Sequence, residues 1–266
     1  LLSGTAVLTV TGLSTLSGGR QSGSGTTLAQ GGAAFSSTGF SLDGGRTLQL
    51  GGASTATGTS VQINLNGTST DTGSGILNIA SGATFTDQTT LSGLSIVASN
   101  FGGTETGADA IVNNAGTFTK SGSAATSTIS TPFNNTGTVS VQSGTLNLTG
   151  GNSPTKTDVG ASYTGAGTIQ FGGGTRTLDG TSSITAANAT FSGGTTTING
   201  SYNVSSTTTI SGGTATLAGS LTSLGSALNI SSGTLNLNGL TATVNSLTES
   251  GGLLSGTAAL TVTCLL

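Results

Sequence analysis

The stretch FSGGTTTINGSYNVSSTTTISGGTATLAG, positions 191–219, contains one ten-residue phrase written twice: FSGGTTTING at 191–200 and ISGGTATLAG at 210–219. The phrase returns as ISSGTLNLNG at 230–239 and precedes itself as FGGGTRTLDG at 171–180, so four copies follow at spacings of 20, 19 and 20. A fifth copy, VQSGTLNLTG, lies at 141–150, and a looser LDGGRTLQLGG begins at Leu42. Self-similarity at a fixed period of this length is the mark of a solenoid, and it outranks other fold arguments.

The side-chain phase follows from the pleat, in which alternate residues share a face. In TTTISGGTATLAG, Thr208 and Ile210 share one face, and beyond the Ser-Gly-Gly corner Ala215 and Leu217 share one. Each copy thus carries an apolar residue before the corner and another seven places later. The first series is Val141, Phe171, Phe191, Ile210 and Ile230; the second is Leu148, Leu178, Ile198, Leu217 and Leu237. With one copy per coil, these residues stack into two apolar ladders inside a tube, and glycine bends the chain at the corners. A helical solenoid is excluded, because apolar residues do not recur at i, i+3, i+4 and i+7 and Gly and Thr are poor helix formers. The expected fold is all-β, a single-stranded parallel β-helix (β-solenoid) with about 20 residues per coil and roughly 11–13 coils over residues 1–266. One coil buries three or four large apolar side chains, each worth roughly 1.5–3 kcal/mol. Ordering the backbone costs about 1–2 kcal/mol per residue, so stability must be cooperative along the axis.

Composition fits this reading. The 266 residues include 47 Gly, no His, Met or Trp, and 5% charged residues, against roughly 25% in an ordinary domain. Hydrophobic residues make up 33%, and the many Thr, Val and Ile favour a pleated, half-buried surface over disorder. Five Lys and Arg, scattered, and a net charge of −3 form no basic patch, so nucleic acid is not an expected partner. No apolar run is long enough for a membrane helix, and no secretory leader stands at the first residue, which is Leu. The chain reads as a piece of a longer polypeptide. The lone Cys264 permits no disulfide within the chain and reads as incidental, with an interchain bond as the alternative.

LLSGTAVLTVT opens the sequence at 1–11, and LLSGTAALTVT recurs at 253–263. Two readings stand: a large unit that begins again, or two similar coils at opposite ends of one rod. The least regular region is 87–136. Within it GGTETGADA (102–110) carries Glu105 and Asp109, and further on GNSPTKTDVGASYTGA (151–166) carries Lys156, Asp158 and Tyr163. Both stretches are expected to project as loops, where recognition varies on a regular rod. Arg176 falls in an inward phase, which implies either a bulge or a buried ion pair, with Asp179 the nearest acid in sequence. Arg46 beside Asp43 makes a similar pair.

NNAGTFTKSGSAATSTISTPFNNTGTVSVQSGTLNLTGG (113–151) joins an N-x-G-T-(F/V) element to S-G-T-L-x-L-x-G. It resembles the passenger repeats of bacterial autotransporter, haemagglutinin-like and giant adhesin β-solenoids, and the likeness extends loosely over most of the chain. The resemblance implies an extracellular or cell-surface location and the role of a stalk or adhesive rod, with environmental or host glycans or surfaces as partners.

No catalytic chemistry is legible. Without His there is no Ser-His-Asp triad, and without His or clustered Cys there is no zinc site. No G-x-x-x-x-G-K-[ST] occurs, and eight acids are spread too thinly for polysaccharide cleavage. Neither an enzyme, nor a cofactor, nor a metal is expected. N-x-[ST] sequons at Asn66, Asn134, Asn147, Asn188, Asn199, Asn203 and Asn229 occur about as often as chance provides in this composition. Outward Thr pairs such as Thr195/Thr197 and Thr214/Thr216 raise ice or glycan binding as a lesser reading, since only part of the column repeats. Two principal functional readings are a structural stalk or adhesin segment, and a filament subunit that partners itself end to end through open solenoid edges.

Overall fold

Period-two alternation of apolar and polar residues becomes, in the computed structural model, a parallel β-solenoid of about 12 turns and about 21 residues per turn, with no helix among the described residues. Residues 1–122, 125–256 and 259–263 are described, and Cys264 lies outside them. Each coil runs over three faces. On the first lie strands such as Ala33–Phe35, Thr117–Lys120 and Thr138–Val141, and on the second Phe40–Leu42, Thr126–Ile129 and Thr145–Leu148. The third carries Thr47–Leu50, Ile76–Ile79 and Ile111–Asn114. Ser183–Ile198 and Ser201–Leu217 pass through the corners unbroken. Every pairing between strands is parallel and joins one coil to the next.

The second face holds a column running through nine coils: Phe40, Ile63, Ile96, Ile129, Leu148, Phe171, Phe191, Ile210 and Ile230. Phe171, Phe191, Ile210 and Ile230 therefore pile directly on one another. On the third face Leu178, Ile198 and Leu217 form another column, continued by buried Leu237, which follows the Thr216–Asn236 pairing. The earliest copy departs from the expected assignment. Leu148 lies beneath Phe171, not Leu178, and Val141 lies over Lys120 on the first face. The reason is the segment 149–161, which takes the third face of its coil in irregular form. The strand 145–148 consequently pairs with 168–171 instead of 175–178. Both residues remain buried.

Phenylalanines line the axis in contact, Phe85 on Phe118 and Phe171 on Phe191 each at 5.3 Å between ring centroids. Corner glycines align as well. Gly174, Gly194, Gly213 and Gly233 hold φ of 64°, 67°, 65° and 76° in successive coils. A Cβ on Gly194 would lie 2.0 Å from the Gly174 carbonyl oxygen, so the coils close to strand spacing here only without a side chain.

The repeated end words occupy different faces. In the first, Leu2 bridges Gln21 on the second face and Leu8–Val10 pairs with Thr26–Ala29 on the third. In the second, Leu253–Ser255 pairs on the third face, and Leu260–Val262 pairs with Ala242–Val244, above Ser220–Leu224 on the first. The same word accepts either setting because it specifies alternation and a Gly corner, not a particular face.

Candidate functional site

The exterior is the largest candidate surface. Outward positions of consecutive coils stack in register as hydroxyls and amides. On the third face Thr175, Thr195, Thr214 and Thr234 form one row, and Thr177, Thr197, Thr216 and Asn236 the row beside it. Further down the same face Asn78, Asn113 and Asn134 form an amide ladder in which Asn113 Nδ2 donates to Asn78 Oδ1 and Asn134 Nδ2 to Asn113 Oδ1, each at 2.8 Å. A second, buried rung runs from Asn114 Nδ2 to Asn135 Oδ1 at 2.8 Å. Such ladders tie adjacent coils together through side-chain hydrogen bonds.

Of the five residues assigned to recognition loops, the structure exposes two. Asp109 and Lys156 face solvent, whereas Glu105 is 7% exposed and Asp158 and Tyr163 are fully buried. The 151–166 stretch turns Asp158 and Tyr163 inward, while Lys156 stays outside, because a coil without a regular third strand must still close its core. Arg176 fills that space. Its Nη1 donates to Asp158 Oδ2 at 2.7 Å and to the Tyr163 hydroxyl at 3.1 Å, and its Nη2 donates to the Gly151 carbonyl at 2.9 Å. The guanidinium lies 5.9 Å from the ring centroids of both Phe133 and Phe171. Tyr163 Oη also donates to Asp158 Oδ2 at 2.6 Å, and burial pushes its ionisation well above the ordinary tyrosine range. Arg176 thus pairs with Asp158 and not with Asp179. Asp179 instead accepts bonds from Ser182, Thr181 and Gly160, which, with that of Ser182 foremost, lower its pKa to about 2.

Arg46 does not pair with the Asp43 side chain either. It is buried and donates to Thr27 Oγ1 at 2.9 Å and the Gly4 carbonyl at 3.2 Å. Asp43 faces Arg20 at 4.0 Å, and Arg20 also reaches Asp71 at 3.6 Å, at the base of the 65–75 excursion. That excursion neighbours the one at 98–110, and the two are stitched by Asn66, whose Nδ2 donates to the Ser99 and Glu105 carbonyls. Asn66 and Asn134 are buried with their amides engaged, which removes two of the seven sequons from the surface.

One buried charged group escapes a reading based on loops. Lys120 shares the inward phase of Phe118, has no solvent exposure, and lies over Asp87 in the adjacent coil. The signal in the sequence is its place at the end of T-F-T-K, two residues after a core phenylalanine. Among the described residues no three His, Cys, Asp or Glu side chains gather to hold a metal ion. Nor is any helix there long and apolar enough to cross a membrane.

Fold and surface together define a three-sided parallel β-solenoid with a hydroxyl- and amide-covered exterior. The chain matches no family model, no curated protein and no solved structure.

Proposed function

We propose that this chain is a structural segment of a secreted or cell-surface bacterial β-solenoid protein, serving as stalk or adhesive rod. The observation that supports this reading is the second-face column from Phe40 to Ile230, which keeps its register past three irregular excursions. A continuous core with parallel backbone ladders on its faces resists bending and transmits load along its axis. The exterior carries few charges and few Lys or Arg residues at which trypsin-like proteases cut. The test is electron microscopy with force spectroscopy on the purified chain. Separate short rods that unfold in steps of one or a few coils support a stalk; collapse without mechanical resistance opposes it.

A second reading, end-to-end assembly of copies into a filament, draws on the exposed apolar side chains of the terminal coils, such as Leu1 and Leu13 at one end and Leu253 at the other. Concentration-dependent fibres would favour it over the isolated rod. The third-face threonine rows support the lesser reading of ice or glycan binding, which thermal hysteresis and glycan-array measurements test.

A further inference from the structure

We infer that Lys120 and Asp87 condense spontaneously into an isopeptide bond that staples two adjacent coils from inside the core. The two residues are in-register partners on the first face, with Ala56 paired to Asp87 on one side and Val141 paired to Lys120 on the other. Both side chains have no solvent exposure, and Lys120 Nζ stands 3.8 Å from Asp87 Oδ2. That distance is too long for a hydrogen bond, and among the described residues the Lys120 amine has no hydrogen-bond partner. A buried ammonium in this state is a poor ion pair, because desolvation is paid without compensating bonds.

The carboxyl is held as condensation requires. Asp87 Oδ1 accepts from the Thr89 backbone N–H at 3.0 Å and from Thr89 Oγ1 at 2.6 Å. These two donors polarise the carbonyl and stabilise negative charge on Oδ1 as the amine adds to Cγ. Ser127 Oγ donates to Oδ2 at 2.5 Å and itself accepts from the Leu94 N–H. The Lys120 nitrogen forms the new bond to Cγ, and the Cγ–Oδ2 bond breaks. Oδ2 departs as water, taking the two protons that the amine and carboxyl together shed on becoming an amide, while the Ser127 hydroxyl holds the leaving oxygen. No oxidant or activated group is needed, and an uncharged amide replaces two buried ionisable groups. Fixed register supplies the proximity that condensation lacks in free solution.

Intact mass spectrometry of the full chain tests this directly. The expected mass is one water below that of the sequence. Trypsin cuts after Arg46, Lys120 and Lys156, but not after an acylated lysine. The denatured chain should therefore yield the fragment 47–156, one water light, in place of 47–120 and 121–156. Lys120→Arg and Asp87→Ala should each restore the full sequence mass of the variant. A wild-type mass equal to the sequence, with fragment 47–120 recovered intact, overturns the inference. So does a water loss that persists in Lys120→Arg, which would place the dehydration elsewhere.

Discussion

Arg176 and Asp158 meet at 2.7 Å across the coil in which residues 149–161 form no third-face strand, and both are enclosed. The pair sits where the sheet of residues 133–135 ends and that of residues 175–178 begins. Phe133 N–H donates to the Gly151 carbonyl, the same oxygen that Arg176 Nη2 engages. The ion pair is thus the splice between two runs of regular coils.

Asp158→Ala should destabilise the chain by about 3–5 kcal/mol, because a buried guanidinium loses its counter-charge while remaining out of water. Adding Arg176→Met should recover most of that loss, since an apolar side chain of similar length can fill the space. Urea unfolding followed by circular dichroism reads both variants. A single variant as stable as the parent would show that the Tyr163 hydroxyl and Gly151 carbonyl suffice for Arg176.

Phe191→Ala removes a ring stacked at 5.3 Å on Phe171 and paired with Ile210, and should cost about 3–5 kcal/mol. Leu13→Ala, at a side chain that is 61% exposed, should change stability by no more than about 0.5 kcal/mol. Thermal melts of the two variants separate core from exterior. Equal shifts would contradict the central column.

The solenoid, its period and the column Phe171–Phe191–Ile210–Ile230 were legible because a repeated phrase leaves little freedom in register. The destination of Val141 and Leu148 was not. Both lie in a copy separated from the next by thirty residues, and phase cannot be carried across an irregular segment by counting. Asp158 and Tyr163 looked like loop groups for the same reason. Their neighbours are polar and Gly-rich, but the core gap they fill is created by the missing third strand, a tertiary fact. Lys120 was hidden differently, since its strand reads as regular and only its phase betrays it.

Glycine substitutions should divide according to what stands opposite. Gly194→Ala combines a φ of 67° with a Cβ 2.0 Å from the Gly174 oxygen and must push two coils apart. Gly82→Ala has a similar φ of 79° but nothing within 4 Å, so it should carry only the left-handed penalty of about 1–2 kcal/mol. Hydrogen exchange should show protection lost around residues 174–213 in the first variant and unchanged coils in the second. Comparable melting points would refute the close-packed corner column.

Asp43 gives the chain a pH dependence of unusual sign. Burial raises its carboxyl from 3.8 to about 6, against the lowering effects of the Gly67 N–H and Arg20. One oxygen accepts the Gly67 N–H at 3.0 Å, while the other is buried without a hydrogen bond. Because the folded state holds this proton more tightly than the unfolded state, the unfolded chain binds fewer protons between pH 3.8 and about 6. The contribution of Asp43 to stability is therefore greatest below the lower value and is lost as pH rises through the upper one. Asp179, lowered to about 2, runs the opposite way and loses its contribution only as pH falls below 3.8. Melting temperature should accordingly fall from about pH 4 to about pH 6.5 in the parent and fall less in Asp43→Asn, whose amide does not titrate. A parent and variant with parallel pH profiles across that window would show that Asp43 is ionised in the folded chain throughout.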